Sequence, residues 1–246
     1  MGIAVDGTGK MERLDKLVAS QGGVTRSEAQ RLIRSGRVKV DGAVCRSPAE
    51  KADAARCILD IAGRSVVCKP FVYIMMNKPA GLLCVSRDPR APTVMELLPP
   101  ELRRRGLFPA GRLDKDTVGL VFITDDGAFA HRMLSPRHKI VKRYHALLDG
   151  PVTDADAAAF AQGTSLEDGT RCLPAELRIL EEGERPLVEI AISEGKYHQI
   201  KRMCQSVGRK VLWLKRISMG GLILDSHLPE GGCREITAEE KASVFQ

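Results

Sequence analysis

Apolar residues near the start of the chain recur in a helical rhythm. In TRSEAQRLIRSG (25–36) they fall on one side of a helical wheel, which predicts an amphipathic helix. These apolar residues are Ala29, Leu32 and Ile33. Thr25 and Glu28 predict a capping box at the start of this helix, and Gly36 predicts its end. The preceding stretch, MERLDKLVAS (11–20), predicts another helix. Its apolar positions are Leu14, Leu17 and Val18.

The residues after these helices change to an alternating rhythm. RVKVDGAVC alternates apolar and polar residues around Asp41-Gly42, a dipeptide that strongly favours a hairpin turn. Two short helices and a hairpin predict a small first domain over residues 11–69, of a size consistent with a marginal independent core. A polar stretch near Lys69 predicts the boundary with a second domain over residues 70–246.

The rest of the chain mixes strand and helix signals. Strands are predicted at FVYIMM (71–76), GLVFIT (119–124), RYHALL (143–148) and PLVEIAI (186–192), and a helix at DGAFAHRML (126–134). Because these signals do not alternate regularly, a doubly wound parallel sheet is not expected. The predicted fold is α+β, with the helix-helix-hairpin domain followed by a domain that has a mixed, mainly antiparallel sheet. Met75 and Met76 are predicted to lie in its core.

Charge and cysteine content narrow the class of protein. The 246 residues carry a formal net charge of +7, which favours an anionic partner such as nucleic acid or a membrane surface. No apolar run approaches the roughly 20 residues of a membrane-spanning helix, so a membrane is the poorer choice. Residues 11–46 hold eight basic and four acidic residues, which indicates a separate basic module. The seven cysteines form no C-x-x-C pair, which favours a reducing compartment, and the cytoplasm is expected.

Several familiar motifs fail. GTGK (7–10) is not a phosphate-binding loop, because Ala4 stands where the first glycine is required. No G-x-G-x-x-G precedes a predicted helix, and no H-E-x-x-H is present. The sequence therefore predicts neither a metal site nor a bound cofactor. The evenly spaced His131, His138 and His145 receive no role.

Three stretches remain as candidate chemistry. In GRLDKDTVGL (111–120), Asp114 is expected at a loop rim beside a strand. In KRYHALLDG, Tyr144 begins an alternating strand. EGKYHQIKRMCQSVG (194–208) predicts a helix with a buried apolar stripe, and Lys201 lies on its other face. Gly195 is expected to permit a close approach of the backbone just before this helix. Taken one at a time, such features are most often structural.

The first domain resembles the S4 RNA-binding domain over RLDKLVASQGGVTRSEAQRLIRSGRVKVDG (13–42). The basic side of its second helix continues into the hairpin, which favours a nucleic-acid surface over a merely solvated face. The resemblance implies binding to structured RNA. Its implied phosphate contacts are Arg26, Arg31, Arg34 and Arg37.

The second domain resembles the pseudouridine synthases of the small-ribosomal-subunit type. The resemblance rests on NKPAG (77–81), GRLDKDTVGL, SPRHKIVKRYHALL and EGKYHQIKRMCQSVG taken together, and it extends to LKRISMGGLILD and GGCREITAEE. It implies isomerisation of uridine to pseudouridine in 16S ribosomal RNA, without cofactor or metal, by a protein expected to be a monomer. One departure is Met219, an apolar residue where this type of enzyme carries isoleucine.

The resemblance also assigns roles to residues of this chain. Asp114 falls on the catalytic aspartate, and Tyr144 on the tyrosine that stacks on the target base and is a candidate proton acceptor. Lys201 falls on the basic partner of the aspartate, and Ile200 on the apolar residue beneath the base. Arg112 falls on the arginine that helps to displace the target nucleotide. Whether Asp114 attacks covalently or acts as a base at C2′ stays open.

Other functions remain possible from the sequence. The same chemistry on large-subunit 23S ribosomal RNA is one alternative, and a non-catalytic RNA-binding protein of ribosome assembly is another. A glycosidase that uses Asp114 and Asp116 as its carboxylate pair is disfavoured. Residues two positions apart are a poor match to the roughly 5 to 9 Å separation across a bond that such enzymes need.

Overall fold

A computed structural model describes residues 11–246; the GTGK stretch at 7–10 lies outside the described residues. The chain forms two compact units. The first comprises the described residues up to Val72 together with Pro99–Leu107, and the second comprises Tyr73–Leu98 and Phe108–Gln246. The domain boundary between residues 69 and 70 stays a prediction, and the association of Pro99–Leu107 with the first unit was not expected from the sequence.

The first unit is built from two helices and six short strands among its described residues. In chain order they are β1 (Met11–Arg13), α1 (Leu14–Gly22), α2 (Arg26–Arg34), β2 (Val38–Val40), β3 (Ala43–Cys45), β4 (Lys51–Asp53), β5 (Ile58–Ile61) and β6 (Arg64–Val67). An antiparallel sheet has the order β3-β2-β5-β6, and β1 pairs with β4. The helix expected to start at Met11 therefore starts at Leu14, because the first three residues extend to pair with β4.

The predicted capping box and hairpin turn of this unit are confirmed. Thr25 and Glu28 form the capping box of α2, satisfying backbone donors that the first helical turn leaves unpaired. Asp41 and Gly42 both have positive φ, as the tight turn between β2 and β3 requires. The core contains the apolar faces of both helices and the inner faces of the strands. Its fully buried members include Leu14, Leu17, Val18, Ala29 and Ile33.

The second unit contains the remaining helices and strands. In chain order they are β7 (Tyr73–Lys78), β8 (Phe108–Ala110), β9 (Val118–Thr124), α3 (Gly127–Leu134), β10 (Lys142–Leu148), α4 (Asp154–Gln162), β11 (Glu176–Glu181), β12 (Leu187–Ile192), α5 (Gln199–Ser206), β13 (Val211–Met219), β14 (Leu222–Ile223), β15 (Cys233–Glu235) and α6 (Ala238–Ser243). The strand expected at residues 71–76 begins two residues later, at Tyr73, and continues to Lys78.

A single mixed sheet organises this unit. Its central path is β11-β12-β10-β13-β9-β7-β15, with β8 paired to β9 and β14 paired to β13. Among the described strands every pair is antiparallel except β9 with β13, so the expected mixed, mainly antiparallel sheet is confirmed. All seven residues of β9 are buried, which marks it as a central strand.

The parallel contact between β9 and β13 depends on a glycine. Gly119 lies opposite Arg216 with a φ of +97°, and a Cβ placed there would lie 2.4 Å from the Arg216 carbonyl oxygen. Only glycine permits this approach of the two backbones. Because β9 directly follows the turn that carries Asp114, this contact fixes where that turn leaves the sheet.

The apolar core of the second unit packs α3 and the chain's C-terminal residues against the sheet. Met75 and Met76 are fully buried, as expected, and Met219 is fully buried in the same core as Met75. Met219, where this type of enzyme carries isoleucine, therefore affects only how the apolar core packs. No helix among residues 11–246 is both long enough and apolar enough to cross a membrane.

Candidate functional site

The turn that carries Asp114 connects β8 to β9. Gly111 opens the turn with a φ of +82°, in the left-handed region that glycine adopts without strain. Leu113 is buried and anchors the turn, and the backbone amide of Thr117 donates to the carbonyl oxygen of Asp114 at 3.2 Å. The sequence placed Asp114 at a loop rim beside a strand, and that position is confirmed.

A buried lysine holds the inner side of this turn. Lys78, at the end of β7, is fully buried, and its ammonium group donates to backbone carbonyl oxygens at 2.8 to 3.2 Å. These acceptors belong to Pro79, Asp114, Lys115 and Thr117. Burial lowers the pKa of Lys78. The lysine thus acts as a clamp on the backbone of Asp114.

Substitution of Lys78 by Met is expected to lower the free energy of unfolding by about 3 kcal/mol, because several buried carbonyl oxygens lose their donor together. Denaturant unfolding followed by circular dichroism measures this loss. Lys115→Met is the matched control, since Lys115 lies on the same turn but is exposed. We expect its unfolding midpoint to equal that of the unsubstituted protein. Equal stability of the two variants would contradict the clamp.

A cavity of about 90 Å³ opens beside the Asp114 turn. Residues from separate parts of the chain line it: Arg112 and Asp114 from the turn, Tyr144 from β10, and Ile200 and Lys201 from α5. All five residues to which the resemblance assigns a part in the reaction therefore meet at one place. Tyr144 is 7% exposed, Ile200 is 4% exposed, and Arg112 is exposed.

Lys201 pairs with two carboxylates. Its Nζ lies 3.1 Å from Oδ2 of Asp114 and 2.6 Å from Oδ1 of Asp116. Burial alone would lower the pKa of Lys201, but its hydrogen bonds to Asp116 and Asp114 outweigh that effect and raise it. The same hydrogen bond has the opposite effect on its acceptor and lowers the pKa of Asp116. The ammonium group therefore keeps its charge at neutral pH, next to the carboxylate of Asp114.

His198 also lies in the site, and the sequence did not single it out. Its Nε2 lies 3.6 Å from Oδ1 of Asp114, and the residue lines the cavity. His198 has a φ of +47°, a left-handed conformation that is uncommon for a residue with a side chain. At Gly195, where a close approach was expected, an added Cβ would meet nothing within 4 Å. The unusual backbone thus belongs to His198, and the expectation for Gly195 was wrong.

The four arginines assigned to RNA lie in the first unit, and all four are exposed. Arg26 differs from the others, because its guanidinium lies 3.2 Å from the fully buried carboxylate of Asp15. A hydrogen bond from Arg13, with others from Gln30 and Arg26, holds the pKa of Asp15 far below its ordinary value although burial opposes this. Arg26 therefore helps to neutralise a buried charge, a task that Arg31 and Arg34 do not share.

Within residues 11–246, no three histidine, cysteine or acidic side chains lie close enough together to hold a metal ion.

Comparison with known proteins gives the class of this chain. The family model described as RNA pseudouridylate synthase matches residues 72–206, and the S4 domain model matches residues 12–54. An S4 module joined to this catalytic fold defines an RNA-modifying isomerase. The chain belongs to the RNA pseudouridylate synthase family.

The relatives give a closer placement within the family. The chain is 42% identical over 236 residues to the ribosomal small subunit pseudouridine synthase A of Vibrio cholerae. The matched region covers 95% of this chain and 100% of the relative. It is 43% identical to the protein of the same name from Escherichia coli K12, over 94% and 99% of the two chains. An uncharacterized RNA pseudouridine synthase of Bacillus subtilis is 40% identical, over 93% and 96%. A crystal structure of a pseudouridylate synthase matches with a TM-score of 0.66 and 37% identity, over 94% and 99%.

Proposed function

We propose that this protein converts a specific uridine of small-subunit ribosomal RNA to pseudouridine, with Asp114 as the catalytic carboxylate. The observation that carries the proposal is the cavity in which Asp114, Tyr144, Ile200 and Lys201 meet. Similarity over nearly the whole chain to two proteins named small subunit pseudouridine synthase A supports the substrate. The protein acts in the cytoplasm as a monomer, with ribosomal RNA as its partner and without a cofactor.

The reaction is an isomerisation. The bond between uridine N1 and ribose C1′ breaks, the uracil turns, and a bond between C5 and C1′ forms. C5 loses a proton and N1 gains one, so no electrons enter or leave. A carboxylate that attacks the substrate or removes a proton must be ionised while it faces an apolar base. Lys201 places its ammonium group 3.1 Å from the carboxylate of Asp114, so a positive charge lies beside the group that reacts.

The uridine must leave its base stack to reach Asp114. Enzymes that react with a base inside folded nucleic acid extrude the nucleotide into a pocket. Arg112, exposed at the rim of the cavity, takes the space that the uridine leaves. Tyr144 stacks on the uracil, and Ile200 packs beneath it. Both side chains are already held by the sheet and by α5, so the base enters a formed site.

The test is modification of defined RNA by the purified protein without added metal or nucleotide. Unmodified 16S transcript, small-subunit assembly intermediates and 23S transcript are incubated separately, and pseudouridine is mapped by carbodiimide adducts and primer extension. We expect one stop, in the 16S RNA. A stop in 23S RNA alone would overturn the substrate but keep the chemistry. Tight binding without any modified uridine would favour a non-catalytic role in ribosome assembly.

The S4 unit contributes phosphate contacts through Arg31, Arg34 and Arg37, and through Arg26 as far as its ion pair with Asp15 allows. Replacing Arg31 and Arg34 together by Ala is expected to reduce the slope of log affinity against log salt concentration by about two, one for each contact. Filter binding of 16S transcript over a series of salt concentrations measures the slope.

Arg56→Ala is the control for this double substitution, because Arg56 is exposed in the same unit but lies outside α2. We expect its salt dependence to match that of the unsubstituted protein. If the double variant keeps the full slope, the basic face of α2 does not contact phosphates.

A further inference from the structure

Tyr197 lies exposed beside the cavity. With 74% of its surface accessible, it has the largest exposed fraction among the exposed large apolar and aromatic side chains of residues 11–246. A tyrosine ring is usually buried against other residues, because its apolar face gains free energy when water is removed. Tyr197 immediately precedes His198, which lines the cavity next to Asp114. An uncovered aromatic ring is thus held close to the reacting groups.

The ring of Tyr197 is stacked on the ring of His198. Their centroids are 3.9 Å apart, and their planes are inclined by 17°. His198 therefore covers one face of the tyrosine. Because the side chain is still largely exposed, its opposite face is open to solvent. That face has the size and flatness on which a nucleobase stacks, whichever base it is.

The backbone that presents these rings is braced. The carboxylate of Glu194 accepts hydrogen bonds from the side chains of Gln199, at 2.8 Å, and Lys196, at 2.6 Å. The amide of Lys196 in turn donates to Oε1 of Gln199 at 2.9 Å. His198 is held at positive φ within this turn, and such conformations persist only where the surroundings enforce them. The pair of rings is thus a preformed surface.

We propose that Tyr197 and His198 form a stacking platform for a base of the substrate RNA next to the uridine that enters the cavity. The proposal rests on the proposed function. Extrusion of a uridine leaves the neighbouring base without its stacking partner, and an aromatic ring at the rim of the cavity replaces that partner. Because stacking does not read base edges, the platform contributes affinity and position more than recognition of one base.

The test compares four full-length proteins: unsubstituted, Tyr197→Phe, Tyr197→Ala and Ile223→Ala. Ile223 is the control, since it is 64% exposed in the same unit but does not line the cavity. Pseudouridine formation is measured over a range of 16S transcript concentrations. Loss of one base–aromatic stack is expected to lower kcat/KM of the Tyr197→Ala variant about tenfold, mainly through KM. The Tyr197→Phe and Ile223→Ala variants are expected to stay within about twofold of the unsubstituted protein.

Two results would overturn the platform. One is a Tyr197→Ala variant with unchanged kcat/KM, and the other is a Tyr197→Phe variant as impaired as Tyr197→Ala, which would assign the effect to the hydroxyl group. Equal melting temperatures of all four proteins verify that folding is intact. If the unsubstituted protein modifies no RNA, the proposed function fails. The platform is then judged by filter binding of the 16S transcript, where the same order of affinities supports it and equal affinities overturn it.

Discussion

Asp114→Asn is expected to lower the rate of pseudouridine formation by at least about 10³-fold, while RNA affinity is expected to stay within about threefold. Asparagine keeps the size and most of the hydrogen bonding of the side chain but carries no charge. It can neither attack the substrate as an anion nor accept a proton. The measurement is a single-turnover assay with excess enzyme, together with filter binding of the same transcript.

The neighbouring carboxylate provides the matched control. Asp116 lies two residues away and contacts the same lysine, at 2.6 Å, but its side chain is 74% exposed and it does not line the cavity. Asp116→Asn is therefore expected to change the rate by less than about threefold, since an exposed ion pair contributes little. If the Asp116 variant is the inactive one and Asp114→Asn stays active, the catalytic carboxylate has been assigned to the wrong residue. Activity in both variants would remove the carboxylate from the mechanism.

The first unit could be predicted well because its signals are local. A capping box at Thr25 and Glu28, and a turn at Asp41-Gly42, act over three or four residues and need nothing from the rest of the chain. The start of α1 was missed by three residues for the opposite reason. Met11–Arg13 pairs with Lys51–Asp53, a partner about 40 residues away that a helical pattern does not reveal.

The architecture of the second unit could be predicted only in outline. Alternating stretches indicated strands, but their order in the sheet depends on contacts between distant segments. The parallel register of β9 against β13 rests on the Gly119 approach to Arg216, across nearly 100 residues of chain. The grouping of Pro99–Leu107 with the first unit is also a long-range property. Two hydrogen bonds join this segment to the rest of the first unit. The guanidinium of Arg64 donates to the backbone carbonyl of Pro100, and that of Arg104 donates to the backbone carbonyl of Lys69.

For the candidate site, the sequence supplied residue types and the resemblance supplied roles, while geometry added what neither contained. Lys78 lies in the quoted NKPAG stretch, yet its function as a clamp depends on carbonyl oxygens some 36 to 39 residues further along the chain. His198 precedes α5 with a left-handed backbone, and its Nε2 lies 3.6 Å from Oδ1 of Asp114. A helical pattern carries no signal for such a residue. Asp116 was considered as part of a disfavoured glycosidase pair, and its ion pair with Lys201 was not foreseen.

Substitution of Lys201 is expected to have the second largest effect. Lys201 is the cation that contacts both Asp114 and Asp116, and only 24% of its side chain is exposed. Lys201→Ala would remove the positive charge that both carboxylates contact, and two like charges would then repel each other without a shared partner. We expect the single-turnover rate to fall roughly 10²-fold, the loss typical of one preorganised charged or donor group at a reacting centre. Lys201→Arg keeps the charge, so its rate is expected to stay within about tenfold of the unsubstituted protein.

Chemical rescue separates an electrostatic role from a structural one. Because the lysine is partly accessible to solvent, ethylammonium can enter the space left by Lys201→Ala and restore a positive charge beside Asp114. Added ethylammonium is expected to raise the rate of this variant about tenfold, without effect on Asp114→Asn, which has no carboxylate to stabilise. Lys115→Ala, on the same turn but exposed, is the control and is expected to need no rescue. A Lys201→Ala variant with the unsubstituted rate would show that the charge is not required. Asp114 would then need another source of stabilisation, and His198, whose Nε2 lies 3.6 Å from Oδ1 of Asp114, would be the next residue to substitute.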